Sequence, residues 1–278
     1  MHTLNCNGTL ITTEIPLVMG IINATPDSFY RGDLKTGNEG ILALAKKMLE
    51  EGADILDIGG QSTRPGSHAV SAEEEMERVI PAIDIIKHHF PGAIISIDTY
   101  YSRVAVAAIR SGAAIVNDIS GGESDKEMIS TVAGFNVPYI CMHMKGTPQT
   151  MQQYANYDDV TKEVLDYFIA KTDQCKKAGI KDIIIDPGFG FAKTAEHNFT
   201  LLKNLNILKM ICRPILAGLS RKSSVYKTLD ITPAEAMNGT TVLNTMALNN
   251  GADILRVHDV KEAREAVKLM MVYKNCDS

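Results

Sequence analysis

The sequence predicts an α/β chain folded as a TIM-type (β/α)8 barrel with a short N-terminal β-hairpin. Eight short β-branched runs recur along the 278 residues, and helical segments alternate with them. Nearly every run ends in a polar residue followed by glycine or a helix start. Parallel strands buried on both faces read as near-continuous apolar runs. The onsets near Leu17, Ile55, Ile94, Ile115, Pro138, Ile183, Pro214 and Ile254 lie on average about 34 residues apart, which suits one βα unit per strand. In such a barrel the chemistry sits at the C-terminal rim, so the residues that close the runs are expected to converge on one cavity.

The elements follow in order. Asn7-Gly8, flanked by short alternating runs, signals a two-residue hairpin turn that could plug the barrel bottom. The first strand, LVMGIIN, closes at Asn23, and the helix NEGILALAKKMLEEGAD stops at Gly52. The second run, ILDIGGQ, closes at Gln61; its helix opens with a Ser71 cap and an acidic first turn and ends before Pro91. IISID closes at Asp98 and leads into YYSRVAVAAIRSG. IVND closes at Asn117 and Asp118, with a short helix near DKEMISTVAG. PYICMH ends at His143 and precedes YDDVTKEVLDYFIAKTDQCKKAGI. IIID ends at Asp186 and precedes KTAEHNFTLLKNLNIL. PILAGLS ends at Ser220 before TPAEAMNGTTVLNTMALNNGAD. ILRVHD ends at Arg256 and His258 before VKEAREAVKLMMVYK. The competing architecture, an open doubly wound sheet, needs a reversal of strand order and usually a Gly-rich first turn; the first connection here is NATPDSF.

Composition narrows the functional class. The length suits one barrel, so residues 1–278 read as a single domain, and 45% apolar residues supply a large core. A net charge of −5 argues against non-specific nucleic-acid binding. Five cysteines, odd in number and without C-x-x-C spacing, suit a reduced cytosolic setting better than a disulfide scaffold or zinc site. The first ten residues lack the basic segment and apolar run of a signal peptide, and no stretch approaches the roughly 18 apolar residues of a membrane span. Neither nucleic acid nor membrane is expected as a partner.

Asp98, Asn117 and Asp186 close strands three, four and six, and Lys222 follows strand seven. A carboxylate accepts two donors of a flat heterocycle bidentately, an Asn offers a donor and an acceptor, and a Lys neutralises a carbonyl oxygen. That set suits the edge of an aminopyrimidinone-like ring. Asp57, inside strand two, reads as an interior structural carboxylate. Arg64, Arg256 and His258, with Asn23 nearby, suit an anion such as phosphate or diphosphate. The loops after strands seven and eight are a frequent phosphate site in barrels. Two long connections, NATPDSFYRGD from Asn23 and GGQSTRPGS from Gly59, read as lids or substrate clamps. His143 has no second His or Cys placed for zinc, the 13 methionines read as core filler, and His88-His89 as an exposed helix end. Neither a Gly-x-Ser-x-Gly elbow nor a P-loop is present.

The blocks MGIINATPDSF, DILDIGGQSTRPG, ISIDTY, VNDISGG, CMHMKGTPQTMQ, IIIDPGFGFAKT, GLSRKS and LRVHDV, in this order from Val18 to about Val260, resemble the dihydropteroate synthase family. The resemblance implies a barrel that condenses 6-hydroxymethyl-7,8-dihydropterin diphosphate with 4-aminobenzoate and releases diphosphate. It implies a pterin pocket of Asp98, Asn117, Met142, Asp186 and Lys222. Asn23 would hold Mg2+, and Asn23, Arg256 and His258 the diphosphate. Phe29, Thr63, Arg64, Pro65, Phe191, Lys222 and Ser223 would shape the aminobenzoate side, where sulfonamides mimic the substrate. Asp98, Asp186, Lys222 and Arg64 would form the catalytic set. The family also implies a cytoplasmic homodimer joined through outer helices. With no side chain poised as a covalent nucleophile, a dissociative, SN1-like displacement is expected.

Three departures stand out. Gln61 replaces a common Glu, Arg31-Gly32-Asp33 replaces a usual Asp-Gly-Gly, and Ala192 replaces a glycine. A pterin-binding methyltransferase domain would share the ring pocket but not need the NATPD, STRP and SRK blocks. A catalytically inactive pterin-binding protein is opposed by the intact Asp98, Asp186, Lys222 and Arg256.

Overall fold

The computed structural model describes residues 1–25, 37–61 and 70–276. The hairpin pairs β1 (Thr3–Cys6) with β2 (Thr9–Thr12), antiparallel. Asn7 and Gly8 both adopt positive φ, 52° and 92°, as a two-residue turn matched to strand twist requires. The barrel strands follow: β3 (Leu17–Asn23), β4 (Ile55–Gly59), β5 (Ile94–Asp98), β6 (Ile115–Asp118), β7 (Tyr139–Met142), β8 (Ile183–Asp186), β9 (Leu216–Ala217) and β10 (Ile254–Val257). All neighbouring pairs are parallel, in the order β8-β7-β6-β5-β4-β3-β10-β9. A bridge between Ile185 and Ile215, with Ile185 N donating to Pro214 O at 2.9 Å, closes the ring.

Two strands start later than the sequence suggests, β7 at Tyr139 and β9 at Leu216. Proline has no N–H to give the ladder. Pro138 and Pro214 therefore lie just outside, each lending only its carbonyl, to Val116 N and Ile185 N.

The described helices are α1 (Asn38–Glu50), α2 (Ala72–His89), α3 (Ser102–Arg110), α4 (Met128–Phe135), α5 (Val160–Ala178), α6 (Ala195–Lys203), α7 (Ser223–Tyr226), α8 (Met237–Asn249) and α9 (Val260–Asn275). Local sequence sets their ends. Ser71 Oγ accepts from Glu74 N at 3.1 Å, and Asp159 caps α5 by accepting from Thr161 N and Lys162 N. Gly179, at φ 100°, ends α5 in the left-handed region.

Strand alternation divides the core in two. Val18, Leu56, Ile95, Val116, Ile183 and Leu255 point outward and pack under the helices. Their neighbours Met19, Ile55, Ile115, Ile140, Ile184 and Ile254 point inward and form a separate apolar cluster with Leu4 and Cys6 of the hairpin. The hairpin therefore plugs the N-terminal end of the barrel. Asn5 N donates to Asp182 Oδ2 at 2.9 Å and pins the plug to the start of β8.

Candidate active site

Continuing the inward parity toward the C-terminal end changes the chemistry. Asp57 and Gly59 follow Ile55 on β4; Ser96 and Asp98 follow Ile94 on β5. Asn117 follows Ile115, Met142 follows Ile140, Asp186 follows Ile184, and Arg256 follows Ile254. Ladder register puts Asn23, Gly59, Asp98 and Asn117 on one rung, and Met142 beside Asp186 on another. The polar strand ends singled out in the sequence thus share one end of the barrel interior.

Arg256 lies at the centre of this group. Its Nε donates to Asp57 Oδ2 at 2.6 Å and its Nη2 to Asp98 Oδ2 at 2.5 Å. Asn117 Nδ2 donates to the same Asp57 oxygen at 3.0 Å. Arg256, read in the sequence as an anion-binding cation, sits among the acids instead. The physical reason is the depth of Asp57, which is fully buried. An uncompensated buried carboxylate costs several kcal/mol, and Arg256 supplies the countercharge. Asp57 is thus the hub that orients Asn117 and Arg256. Its place on the inward parity of β4, between Ile55 and Gly59, was the available signal.

Asp186, also buried, accepts from Gly188 N at 2.7 Å through Oδ1. Burial raises its pKa against the opposing pull of Lys222 and Gly188 N. Burial likewise pushes Asp98 up to about 7; Arg256 opposes the rise, and Asp57, Asp118 and Asp186 add to it. Lys222 is pushed down to about 8 by burial, with Asp186 and Asp98 favouring its charge and Arg256 opposing it. For Arg256, burial disfavours the charge, but Asp57, Asp98 and Asp186 outweigh it and its pKa rises. This is a densely charged, largely buried cluster whose protonation states respond to whatever enters it.

The Ser220-Arg221-Lys222 segment divides its duties. Ser220 Oγ lies 2.9 Å from His258 Nδ1. Arg221, at φ 53°, turns away to a two-point pair with Asp259 at 2.9 and 2.7 Å. Lys222 turns inward, donates to Phe189 O, and places its Nζ 4.6 Å from the centre of the Phe191 ring, a cation–π contact. Ser223, half-buried, opens α7. Asn23 is half-buried at the end of β3. Phe29, Thr63, Arg64 and Pro65, and the Arg31–Asp33 departure, lie outside the described residues.

Behind the rim lie groups that sequence reasoning passed over. Asp118, one residue past Asn117, points outward and accepts from Ser120 N, Ser120 Oγ, Gly122 N and Tyr139 OH, all at 2.7 Å, which shapes the turn after β6. Glu75 of α2 is fully buried; its Oε2 accepts from Gln61 Nε2 at 3.3 Å and Thr99 Oγ1 at 3.2 Å. Burial, then Asp98, raises Glu75 to about 8. Gln61 is therefore explained: its amide donates to Glu75, where a second carboxylate would oppose the first. Gly60 is required there, since a Cβ would come within 2.8 Å of Glu75 Cγ. Ala192 holds a left-handed φ of 47°, the conformation glycine adopts at least cost. His143 contacts buried Lys193, not a metal set, and no His, Cys, Asp or Glu group of three or more among the described residues could hold an ion.

Comparison with known proteins agrees with this architecture. Residues 19–258 match the pterin binding enzyme family. The dihydropteroate synthase of Synechocystis sp. is 45% identical over 255 residues, 91% of this chain and 88% of that one. The structure of Xanthomonas albilineans dihydropteroate synthase with 4-aminobenzoic acid superposes with a TM-score of 0.92 at 38% identity, covering 99% of both chains. The same enzyme in complex with 7,8-dihydropteroate superposes at 0.90 and 35% identity, covering 99% of this chain and 100% of that one.

Proposed function

Because this chain belongs to the pterin binding enzyme family and, within it, to the dihydropteroate synthases, we propose how its barrel rim divides the work of the reaction. The enzyme condenses 6-hydroxymethyl-7,8-dihydropterin diphosphate with 4-aminobenzoate to give 7,8-dihydropteroate and diphosphate. The observation that carries the residue assignment is the convergence of Asp98, Asn117, Asp186 and Lys222 on one interior end of the barrel.

Asp186 presents a carboxylate to the amino edge of the pterin, Asn117 supplies a paired donor and acceptor, and Lys222 meets the ring carbonyl. Met142, inward on β7 beside Asp186, packs on the ring. Arg256, His258 and Asn23 take the diphosphate. Two of the five N–H groups of Arg256 serve Asp57 and Asp98, and the guanidinium can share the rest with phosphate oxygens. Phe191 and Ser223, with Lys222, form the described part of the aminobenzoate side; Phe29, Thr63, Arg64 and Pro65 complete it.

Asn23 offers one hard oxygen, and no acidic cluster accompanies it among the described residues. That donor set fits a Mg2+ held chiefly by diphosphate oxygens and water. When bound, Mg2+ would draw off charge from the departing diphosphate.

The displacement is dissociative. The methylene C–O bond breaks, its electron pair leaves on diphosphate, and the dihydropterin ring delocalises the resulting positive charge. Asp98 and Asp186, fixed before the reaction begins, stabilise that charge. The arylamine lone pair then forms the C–N bond and the amine sheds a proton. Diphosphate release that depends on Mg2+ and rises with 4-aminobenzoate supports this division. Tight pterin binding without release would point instead to an inactive binding protein. Methylene-carbon isotope effects reporting strong nucleophile participation would rule out the dissociative order.

A homodimer through the outer helices belongs to the same proposal. α8 and α9 expose Val242, Met246, Leu269, Val272 and Tyr273 beside a groove of about 620 Å3. Sedimentation of wild type against Leu269→Glu tests it. A cytoplasmic setting is supported by the free cysteines; no helix among the described residues is long and apolar enough to cross a membrane.

A further inference from the structure

Lys193 takes no part in the chemistry above, yet it is only 4% exposed and its Nζ is enclosed by acceptors. His143 Nδ1 lies at 3.0 Å, Gly188 O at 3.1 Å, Phe191 O at 3.1 Å and His143 O at 3.5 Å. Burial pushes Lys193 down to about 7, with Asp186 favouring its charge; in its ammonium form it has three N–H donors, and three of these contacts are short. Burial, then Lys193 and Lys145, pushes His143 down to about 2, so its ring is neutral, and with the ring proton on Nε2 its Nδ1 accepts from Lys193.

The carbonyls that Lys193 holds belong to the turn after β8. Within that turn Phe191 N donates to Gly188 O at 3.1 Å, and Gly190 N donates to Asn198 Oδ1 at 2.7 Å. Gly188, at φ 69°, approaches so closely that a Cβ would lie 2.1 Å from His143 O. On the cavity side the same turn gives Phe189 O to Lys222 and lays the Phe191 ring 4.6 Å from the Lys222 ammonium. One short turn is thus held by two lysines: Lys193 ties it to the end of β7, and Lys222 meets it at the rim.

We infer that Lys193 is a positioning residue for the arylamine. By clamping the Gly188 and Phe191 carbonyls to His143, it sets where the Phe191 ring and the Lys222 ammonium stand. The pterin groups Asp98 and Asn117 are held separately, through Arg256 and Asp57; the backbone of Asp186 is fixed by the β7–β8 ladder, while its Oδ1 accepts from Gly188 N of this turn. Lys193 therefore governs arylamine affinity more than pterin affinity. This rests on assigning Phe191 to the aminobenzoate side.

The test compares Lys193→Met with wild type in steady-state kinetics and in calorimetric binding of 6-hydroxymethylpterin. The expected result is a KM for 4-aminobenzoate raised about tenfold or more, from loss of the buried hydrogen bonds, with pterin Kd changed less than about threefold. An unchanged arylamine KM, or equal losses for both ligands, overturns the inference. Should Lys193→Met not fold, the His143 pair decides. His143→Phe removes the Nδ1 acceptor and is expected to raise the arylamine KM, while His143→Gln keeps an acceptor and is expected to raise it less. Equal effects of the two overturn the inference. Phe191→Ala separates the premise: an unchanged arylamine KM there removes the Phe191 assignment and the inference with it. A raised KM for Phe191→Ala beside an unchanged one for Lys193→Met removes the inference alone.

Discussion

The two ends of the barrel interior are built from the same strands, a few residues apart, under opposite rules. At the N-terminal end Met19, Ile55, Ile115, Ile140, Ile184 and Ile254 meet the hairpin residues Leu4 and Cys6 in an apolar cluster. At the C-terminal end the same inward parity delivers Asp57, Asp98, Asn117, Asp186 and Arg256. The lower layer is stabilised by area and shape, so it tolerates losses by degree. The upper layer is held by pairing, so removing one member leaves another buried and unpaired. Apolar packing fills one end, and the electrostatic readiness for a ligand lies in the other.

Asp186→Asn should produce the largest effect. It turns a two-oxygen acceptor into half a donor, so pterin binding is expected to fall more than about 100-fold, roughly 3 kcal/mol, while the lower layer keeps the fold intact. Calorimetry with 6-hydroxymethylpterin reads this directly, and wild-type affinity would dismantle the ring assignment. Arg256→Ala comes next. Leaving Asp57 without its countercharge should cost about 3 kcal/mol of stability, and affinity for diphosphate should drop far more than for free pterin. Urea melts and paired titrations check both parts.

Ile184→Ala probes the opposite end. The truncation should remove about 2–4 kcal/mol of stability through transfer and cavity terms, with pterin Kd unchanged under conditions where the variant is folded. A shifted Kd would show that the two layers are coupled and would break the comparison. Last comes Glu75→Gln, which tests a buried acid behind the rim. Its folded pKa, about 8, lies above its ordinary 4.5, so the folded state holds the proton longer. Wild-type stability from this group is complete below pH 4.5 and declines as pH rises toward 8, by up to about 5 kcal/mol. The variant lacks that decline. Denaturation midpoints at pH 5 and pH 9 should therefore converge for Glu75→Gln relative to wild type; parallel changes would show that Glu75 ionises as if exposed.

Much of this was legible before any coordinates. The β-branched runs located the onsets of all eight strands to within two residues, because strands buried on both faces have no polar interruptions to confuse the pattern. Asn7-Gly8 located the hairpin, because few other residues accept two successive positive φ angles. The polar strand ends pointed to one rim for the same reason: parallel strands in a closed barrel bring their C-terminal ends together.

What the chain order could not reveal is pairing. Asp57 and Arg256 are 199 residues apart, and Lys193 and His143 are 50 apart, so no local pattern links them. Residue type also misled for Arg256, whose charge suggested a place opposite the acids, whereas barrel closure sets it among them. The sequence by itself determined which residues reach the cavity, since strand parity is a local, two-residue rule. Only the tertiary structure decided which charge answers which, because a buried charge takes its partner from whatever the closed barrel brings within hydrogen-bonding reach.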